Sequence, residues 1–350
     1  MGYRYIGSKD KLAGTIIDDI QSKFPNANSV IDLMAGTGLF SLALRKRGYR
    51  VIASDVMTYS YHHLTVNLFL NQAPYFKGLQ DELGRDNNMY SKVLDHLNKI
   101  QPIKGFFTKE YSPIGNPDAG CKPRMYFTGE NASKIDAIRS IIKKWHETRK
   151  ITDVEHSLLL HDLIMAANDI ANIAGTYGHY LSHFVQRATQ PIVLLPSVFD
   201  EDKNINGHEV RKGYAEEIAI QLYGDVCYID PPYIKRQYAA NYHILETLAR
   251  EDEPEAIGES GLRPWRDQYS NFCSKIKIRD SFKKIIESIN CNEIFVSYSE
   301  DGLLSLEEML NFLSLFGDVT YKDIVYKRFK SNNSEKSNEI IEYLIYLHKK

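Results

Sequence analysis

Cysteine is scarce and scattered: Cys121, Cys227, Cys273 and Cys291 are the only four in 350 residues, and no two form a CxxC pair. That spacing argues against a disulfide framework or a zinc site of paired thiolates, and it fits a reducing cytoplasm. Long apolar runs are missing too. No stretch approaches the roughly 18 residues of a membrane-spanning helix, and Met1-Gly2-Tyr3-Arg4-Tyr5 carries no apolar signal-peptide core. Net charge is nearly absent, with 43 basic against 45 acidic residues and a formal −2. A polyanionic partner would therefore be held by local basic clusters and not by a global field. No internal repeat is found. What remains, 43% hydrophobic and 25% charged, is an ordinary globular composition in a chain long enough for one large domain or two.

The stretch Val226-Cys227-Tyr228-Ile229-Asp230-Pro231-Pro232-Tyr233 organises the rest. Its apolar, β-branched and aromatic start predicts a buried strand. Two prolines, unable to donate a ladder hydrogen bond, end it. Proline also drives its predecessor towards extended geometry, so Asp230 and Pro231 are both expected extended. The strand end then projects a carboxylate, a proline carbonyl and an aromatic ring from one corner. Ligands bind at such carboxyl ends in open parallel sheets. Two acceptors and a stacking face suit a flat base with an exocyclic amino group. A plain strand-ending turn, its Asp capping the next helix, fits the same residues, and the neighbouring segments decide between the two.

Ahead of a helix expected at about 10–22 lies Arg4-Tyr5-Ile6-Gly7-Ser8-Lys9, whose free N–H groups and ammonium can receive a carboxylate. A βαβ unit follows. Its parts are a strand from Ser29 to Met34, a turn Ala35-Gly36-Thr37-Gly38, a helix from about Leu39 to Arg47, and a strand from Tyr49 to Ser54 ending at Asp55. The glycines let the backbone approach a ligand closely, and the acid after the second strand can bind both hydroxyls of a ribose. Spacing alone keeps a dinucleotide open, since Ser41 stands where the third small residue of that fingerprint falls. Asp32 and the Asp230 corner favour a small cationic nucleoside bearing an amino acid over a diphosphate, and S-adenosyl-L-methionine (AdoMet) is that ligand. In a further helix at 57–70, the adjacent His62 and His63 face different sides and make a poor metal pair.

Residues 75–205 differ in texture. Residues 104–124 are rich in Gly, Pro, Lys and aromatics with little periodicity, and amphipathic helices follow at about 131–147 and 153–173. Lys104, Lys109, Lys122, Arg124, Lys143, Lys144, Arg149 and Lys150 interleave with Phe106, Phe107, Tyr111, Tyr126, Phe127 and Trp145. That mixture suits a nucleic-acid surface, although a solvated helix face explains Lys143 to Lys150 equally well. A glycine turn at 172–178, read as a helix C-cap, precedes His179, Tyr180 and His183. A strand at 191–195 and a helix at 214–223 lead to the central strand. Beyond it come Arg236-Gln237-Tyr238, a helix at 241–248, and an irregular segment carrying Arg263, Trp265 and Arg266. A helix at 276–289, a strand at 293–299, a helix at 304–315 and strands at 319–326 and 339–347 complete the chain. Lys327-Arg328-Phe329-Lys330 opens a polar loop at a sheet edge, a place for phosphate contact. The α/β alternation on both flanks predicts one doubly wound domain, residues 1–74 and 206–350, interrupted by residues 75–205.

Four segments, in this order, resemble the α-class N(6)-adenine DNA methyltransferases of restriction–modification systems. They are Tyr5-Ile6-Gly7-Ser8-Lys9, Asp32 to Phe40 (with Met34 where Phe is common), Asp230-Pro231-Pro232-Tyr233, and Ser297-Tyr298-Ser299-Glu300-Asp301-Gly302-Leu303. Arg236-Gln237-Tyr238 and the Asn241 to Leu248 helix are similar as well. The resemblance implies a Rossmann-like AdoMet-dependent methyltransferase sheet with a mainly helical target-recognition region inserted at 75–205. It implies catalytic roles for Asp230, Pro231, Pro232 and Tyr233 on an adenine flipped out of double-stranded DNA. Tyr5, Gly7, Lys9, Asp32, Met34, Ala35, Gly36, Gly38 and Asp55 would hold AdoMet, with no metal. Lys122, Arg124, Arg236, Tyr238, Arg263, Lys327 and Arg328 are the expected nucleic-acid contacts. A cytoplasmic monomer or homodimer, with a cognate restriction endonuclease acting on the same site, completes the expectation.

One departure stands out. Tyr214-Ala215 occupies the place of an Asp-Ala pair, so a contact to the AdoMet adenine is absent, altered or supplied by Glu216. An RNA adenine methyltransferase, a catalytically idle DNA-binding subunit and an NAD-dependent oxidoreductase are the competing readings.

Overall fold

The structure is a computed structural model and describes residues 12–117, 121–200, 207–327 and 339–350. Its strands are β1 (Ser29–Asp32), β2 (Arg50–Asp55), β3 (Glu209–Lys212), β4 (Val226–Ile229), β5 (Glu293–Ser299), β6 (Gly317–Lys327) and β7 (Glu339–Lys349). They form one sheet in the order β3-β2-β1-β4-β5-β7-β6. The first five of that order are parallel, and β7 runs antiparallel between β5 and β6. Every residue of β1 (SVID) and β4 (VCYI) is buried, as parallel strands covered on both faces require. The order reverses between β1 and β4, which opens a crevice at their carboxyl ends. The doubly wound α/β sheet expected from the alternation is present, and the ends of β1 and β4 stand side by side at its switch point.

On one face Ile31, Cys227, Ile229, Ile294 and Val296 belong to a fully apolar core with Phe282 and Ile285 of the helix Ile278–Ser288 and Met309 of the helix Leu306–Leu313. The latter helix starts with a Ser305–Glu308 capping box, which satisfies two of its orphan N–H groups. The edge strand β3 was not expected. Its sequence, EVRK, is polar and partly exposed, so it carries no apolar alternation to announce it. The helix expected at 214–223 is a single turn, Ala215–Ile218, followed by the 3-10 turn Ala219–Gln221.

The second compact unit is helical. By contacts, and of the described residues only, it takes those within 57–205 and 238–268, while those within 7–56, 206–237 and 269–350 belong with the sheet. Grouped by contacts, the helical unit begins at Met57 and includes segment 238–268. Two helices there, Met89–Lys99 and Phe106–Tyr111, were not expected, and the one read at 241–248 is broken at Tyr242 into Tyr238–Asn241 and His243–Arg250.

Buried acids close helix ends that their own sequence leaves open. Glu246, fully buried, accepts from the N–H of Thr58 (2.9 Å) and of Tyr59 at the start of Thr58–Phe69. Asp136 does the same for Phe106–Tyr111, accepting from the N–H of Phe107 and Thr108, both at 2.8 Å. Pro191 to Leu195, read as a strand, is not one. Side-chain amides replace the ladder: Asn131 binds Gln190 and Ile192, and Asn98 bonds both backbone groups of Leu194.

Candidate active site

The turn after β1 is tied to both neighbouring strands. Leu33 N–H donates to the Tyr228 carbonyl of β4 (3.0 Å), and Ala35 N–H donates to the Ser54 carbonyl of β2 (2.9 Å). Ser54 Oγ donates back to the Leu33 carbonyl at 2.7 Å. Gly36 N–H donates to Asp55 Oδ2 at 2.9 Å. Gly36 and Gly38 have φ of 54° and 75°, the left-handed region that glycine enters without strain. Gly38 then serves as the N-cap of the helix Leu39–Lys46. The carboxylate expected to bind a ribose therefore has a second job, since one of its oxygens orders the glycine turn.

Asp32, at the end of β1, is buried, and Ser41 Oγ donates to its Oδ2 at 2.5 Å. Burial pushes its carboxyl up from the ordinary 3.8 to about 7; the Ser41 hydrogen bond opposes that rise, and the charges of Asp230 and Asp55 add to it. The ends of β1, β2 and β4 thus place three carboxylates in one electrostatic neighbourhood. A ligand bringing positive charge relieves that repulsion and a diphosphate aggravates it. The residues present accordingly fit AdoMet, whose sulfonium and ammonium are cationic, better than a dinucleotide.

At the end of β4, Tyr228 donates to Ser297 Oγ (2.8 Å) and its ring lies 4.1 Å from that of Phe40. Pro231 is buried, while Asp230, Pro232 and Tyr233 are half-buried. The Tyr233 carbonyl accepts from Leu303 N–H at 2.9 Å, and its ring meets the fully buried Tyr298 edge-on at 6.0 Å. Tyr298 in turn accepts from Leu304 N–H at 3.0 Å. A side chain at Gly302 would place its Cβ 2.2 Å from the Tyr298 ring, so the turn closes over Tyr298 only with glycine there. Tyr298 is the supporting residue that sequence reasoning did not assign; an aromatic inside Ser297-Tyr298-Ser299, four residues before Gly302, was the available signal.

The other expected site residues fall differently. Tyr5, Gly7, Lys9 and Arg328 lie outside the described residues. Met34 is half-buried against the apolar core, and Ala35 is half-buried. Glu216 accepts from Ser281 Oγ at 2.7 Å, so one of its oxygens is engaged with the helix Ile278–Ser288. Gly213 N–H donates to the Asp55 carbonyl at 3.0 Å, and Tyr214 follows it directly. Lys327 ends β6. Lys122 and Arg236 are exposed, and Tyr238 is half-buried with its ring stacked on Tyr242.

Two expected DNA contacts are corrected. Arg124 is fully buried, bonded to Glu110 Oε2 at 2.7 Å and to the carbonyls of Glu110, Ala256, Gly258 and Glu259. Arg263 is 3% exposed and paired with Asp252 at 2.7 Å. Both guanidiniums are engaged inside the protein and present nothing to a duplex. Phe107, Tyr111, Tyr126, Phe127 and Trp145 are likewise core residues, because an aromatic ring gains more from burial than from a solvated basic patch. His62 and His63 are buried, bonded to Ser157 and to His161.

The D12 class N6 adenine-specific DNA methyltransferase family matches residues 5–312. The chain is 36% identical to type II methyltransferase M.FokI of Planomicrobium okeanokoites over 99% of its own length and 52% of that protein's. It therefore spans about half of that relative. It is also 33% identical to M.NlaIII of Neisseria lactamica over 99% of both chains, and 32% identical to M.CviAII of Paramecium bursaria Chlorella virus 1 over 98% of both. With the sheet order, the glycine turn and the Asp230 corner already in place, the chain belongs to the D12 class N6 adenine-specific DNA methyltransferases.

Proposed function

We propose that this chain is a site-specific DNA adenine methyltransferase that uses AdoMet and serves as the modification enzyme of a restriction–modification system. The observation that carries the reading is the convergence of Asp32, Asp55 and Asp230 at the switch point of the sheet, which asks for a cationic ligand. Bound there, AdoMet supplies an electrophilic methyl group. Asp32 and the Gly36 turn hold its amino-acid end, and Asp55 holds its ribose while keeping the turn in shape. Asp230 and the Pro231 carbonyl accept hydrogen bonds from the exocyclic amino group of the target adenine, and the Tyr233 ring lies against the base. Those acceptors orient the nitrogen lone pair and favour the positive charge that grows on it, so the protein's work is positioning and electrostatics. An adenine inside a duplex is out of reach of such a corner, so it is flipped out.

Incubation with tritiated AdoMet and DNA, followed by sequencing of modified bases, tests the reading. Methyl on adenine N6 at one recurrent sequence is expected. Label in RNA only, or AdoMet binding with no transfer to any nucleic acid, would replace it with the RNA-directed or the idle-subunit reading.

A further inference from the structure

We propose that the helical unit carries a second nucleic-acid contact, a cleft that grips a phosphodiester of the duplex between Lys77 and Arg149 beside the Tyr75 ring. The inference rests on DNA being the substrate, as proposed above. The cleft measures about 480 Å³, with Tyr75, Lys77, Gly78, Arg149 and Lys150 on its walls. Lys150 is paired with Glu82, but no acidic group lies within ion-pair distance of Lys77 or Arg149 among the described residues. Glu155, the lining carboxylate, is engaged in capping Thr152, whose N–H it accepts at 2.8 Å. Tyr75 is 61% exposed, which leaves its ring open to a ligand in the cleft. Two free cations beside an exposed aromatic suit a phosphate and the sugar or base next to it.

The backbone is strained to build this cleft. Among the described residues, only Phe76, Arg149 and Glu251 have positive φ without being glycine (43°, 57° and 50°). Arg149 lines the cleft, and Phe76 sits between the lining residues Tyr75 and Lys77. The Phe76 ring is fully buried and stacks on Tyr90 at 6.0 Å, which fixes the kink between Tyr75 and Lys77. Arg149 follows the C-cap of the helix Gly129–Glu147, with its N–H on the His146 carbonyl (2.9 Å) and Lys150 N–H on that of Trp145 (2.8 Å). That pair of bonds normally goes with glycine at the left-handed residue. A Cβ at Gly78 would lie 2.3 Å from the Lys150 carbonyl oxygen, so glycine there lets the Lys77–Leu79 turn lie against the segment that carries Arg149. Arginine in a place that favours glycine, and glycine where it lets the two chain segments approach, point to a task for the guanidinium.

Duplex binding by wild type, Arg149→Gly, Lys77→Ala and the double variant, titrated over about 50–200 mM salt, tests this. Each single change should lower the slope of log K against log salt by about 0.9 and weaken binding equally for every duplex sequence. Arg149→Gly should at the same time raise the melting temperature by about 1–2 °C, since it relieves the left-handed strain. At saturating DNA, turnover should hold while KM rises. Variants with wild-type slopes and affinities would overturn the cleft alone, leaving the methyltransferase reading intact. Competition by inorganic phosphate or a free nucleotide for a site that leaves duplex binding unchanged would also overturn it, assigning the cleft to a small ligand. A wild-type protein that binds no duplex at all would remove both.

Discussion

The sheet unit and the helical unit treat charge in opposite ways. In the sheet unit, acids meet at the ends of β1, β2 and β4, where the charges of Asp230 and Asp55 raise the proton affinity of Asp32. In the helical unit, buried charges are matched within the protein: Arg124 with Glu110, Arg263 with Asp252, Asp136 and Glu246 with helix ends. Matched charges hold a fold together, whereas like charges gathered at a strand end weaken it and make sense only with a ligand. The contrast explains why reading every basic residue of the helical unit as a DNA contact fails for Arg124 and Arg263.

The largest test of the contrast is Asp230→Ala. Removing an acid from the convergent group should cost at least about a thousandfold in methyl transfer while AdoMet binding persists in calorimetry. Turnover close to wild type would take Asp230 out of the chemistry and the sheet unit out of the comparison. Arg124→Ala should behave in the opposite manner. It leaves buried Glu110 with only the more distant Lys109 (3.6 Å) and strips hydrogen bonds from three carbonyls of the 256–259 turn. A loss of about 3–5 kcal/mol in urea unfolding is expected, with no change in the salt dependence of DNA binding by whatever protein remains folded. A changed salt slope with unchanged stability would mean that Arg124 meets phosphate after all.

These two residues also show what was legible in the chain. The Asp230 corner could be read because strand, prolines and aromatic are consecutive, and local chemistry alone specifies them. Arg124 could not, because its partners in residues 256–259 lie more than a hundred positions away and nothing in its own neighbourhood announces them. The same holds for Pro191 to Leu195. Its extended geometry was legible, but the side chains of Asn98 and Asn131 that take the place of a neighbouring strand were not. The edge strand β3 was missed for the converse reason, since a strand with one partner and an exposed face needs no apolar pattern. Gly78 and Arg149 become meaningful only when the two segments are seen to touch.

A smaller effect separates contact from support within the sheet unit. If Tyr233 stacks on the base, Tyr233→Ala should lose about 1–3 kcal/mol of transition-state binding, and Tyr233→Phe should lose much less. Equal losses would show that the hydroxyl, not the ring face, matters. Tyr298→Phe should fall between wild type and Tyr233→Ala, because it keeps the edge contact to Tyr233 but removes the acceptor for Leu304 N–H.

The smallest and most discriminating effect concerns protons. Among the described residues, a buried carboxyl in each unit is raised to about 7: Asp32 in the sheet and Asp162 among the helices. Burial is the main cause in both. The hydrogen bonds of Tyr90 and Ser197 oppose it at Asp162, while at Asp32 the opposing bond from Ser41 is countered by Asp230 and Asp55. A folded-state value above the unfolded 3.8 means that each group's contribution to stability is full below about pH 4 and is lost as pH rises through about 7. The ligand-free protein should therefore become easier to unfold across that window, and Asp32→Asn or Asp162→Asn should each flatten part of the slope. Binding a cation beside Asp32 must pull its value down and expel a proton near pH 7, whereas Asp162 has no such ligand to meet. Calorimetry of AdoMet binding in two buffers of different ionisation enthalpy should show a fraction of a proton released by wild type and by Asp162→Asn, and none by Asp32→Asn. Release that survives in Asp32→Asn would mean that the acid at the end of β1 serves the fold as Asp162 does, and the contrast between the two units would then rest on Asp55 and Asp230 alone.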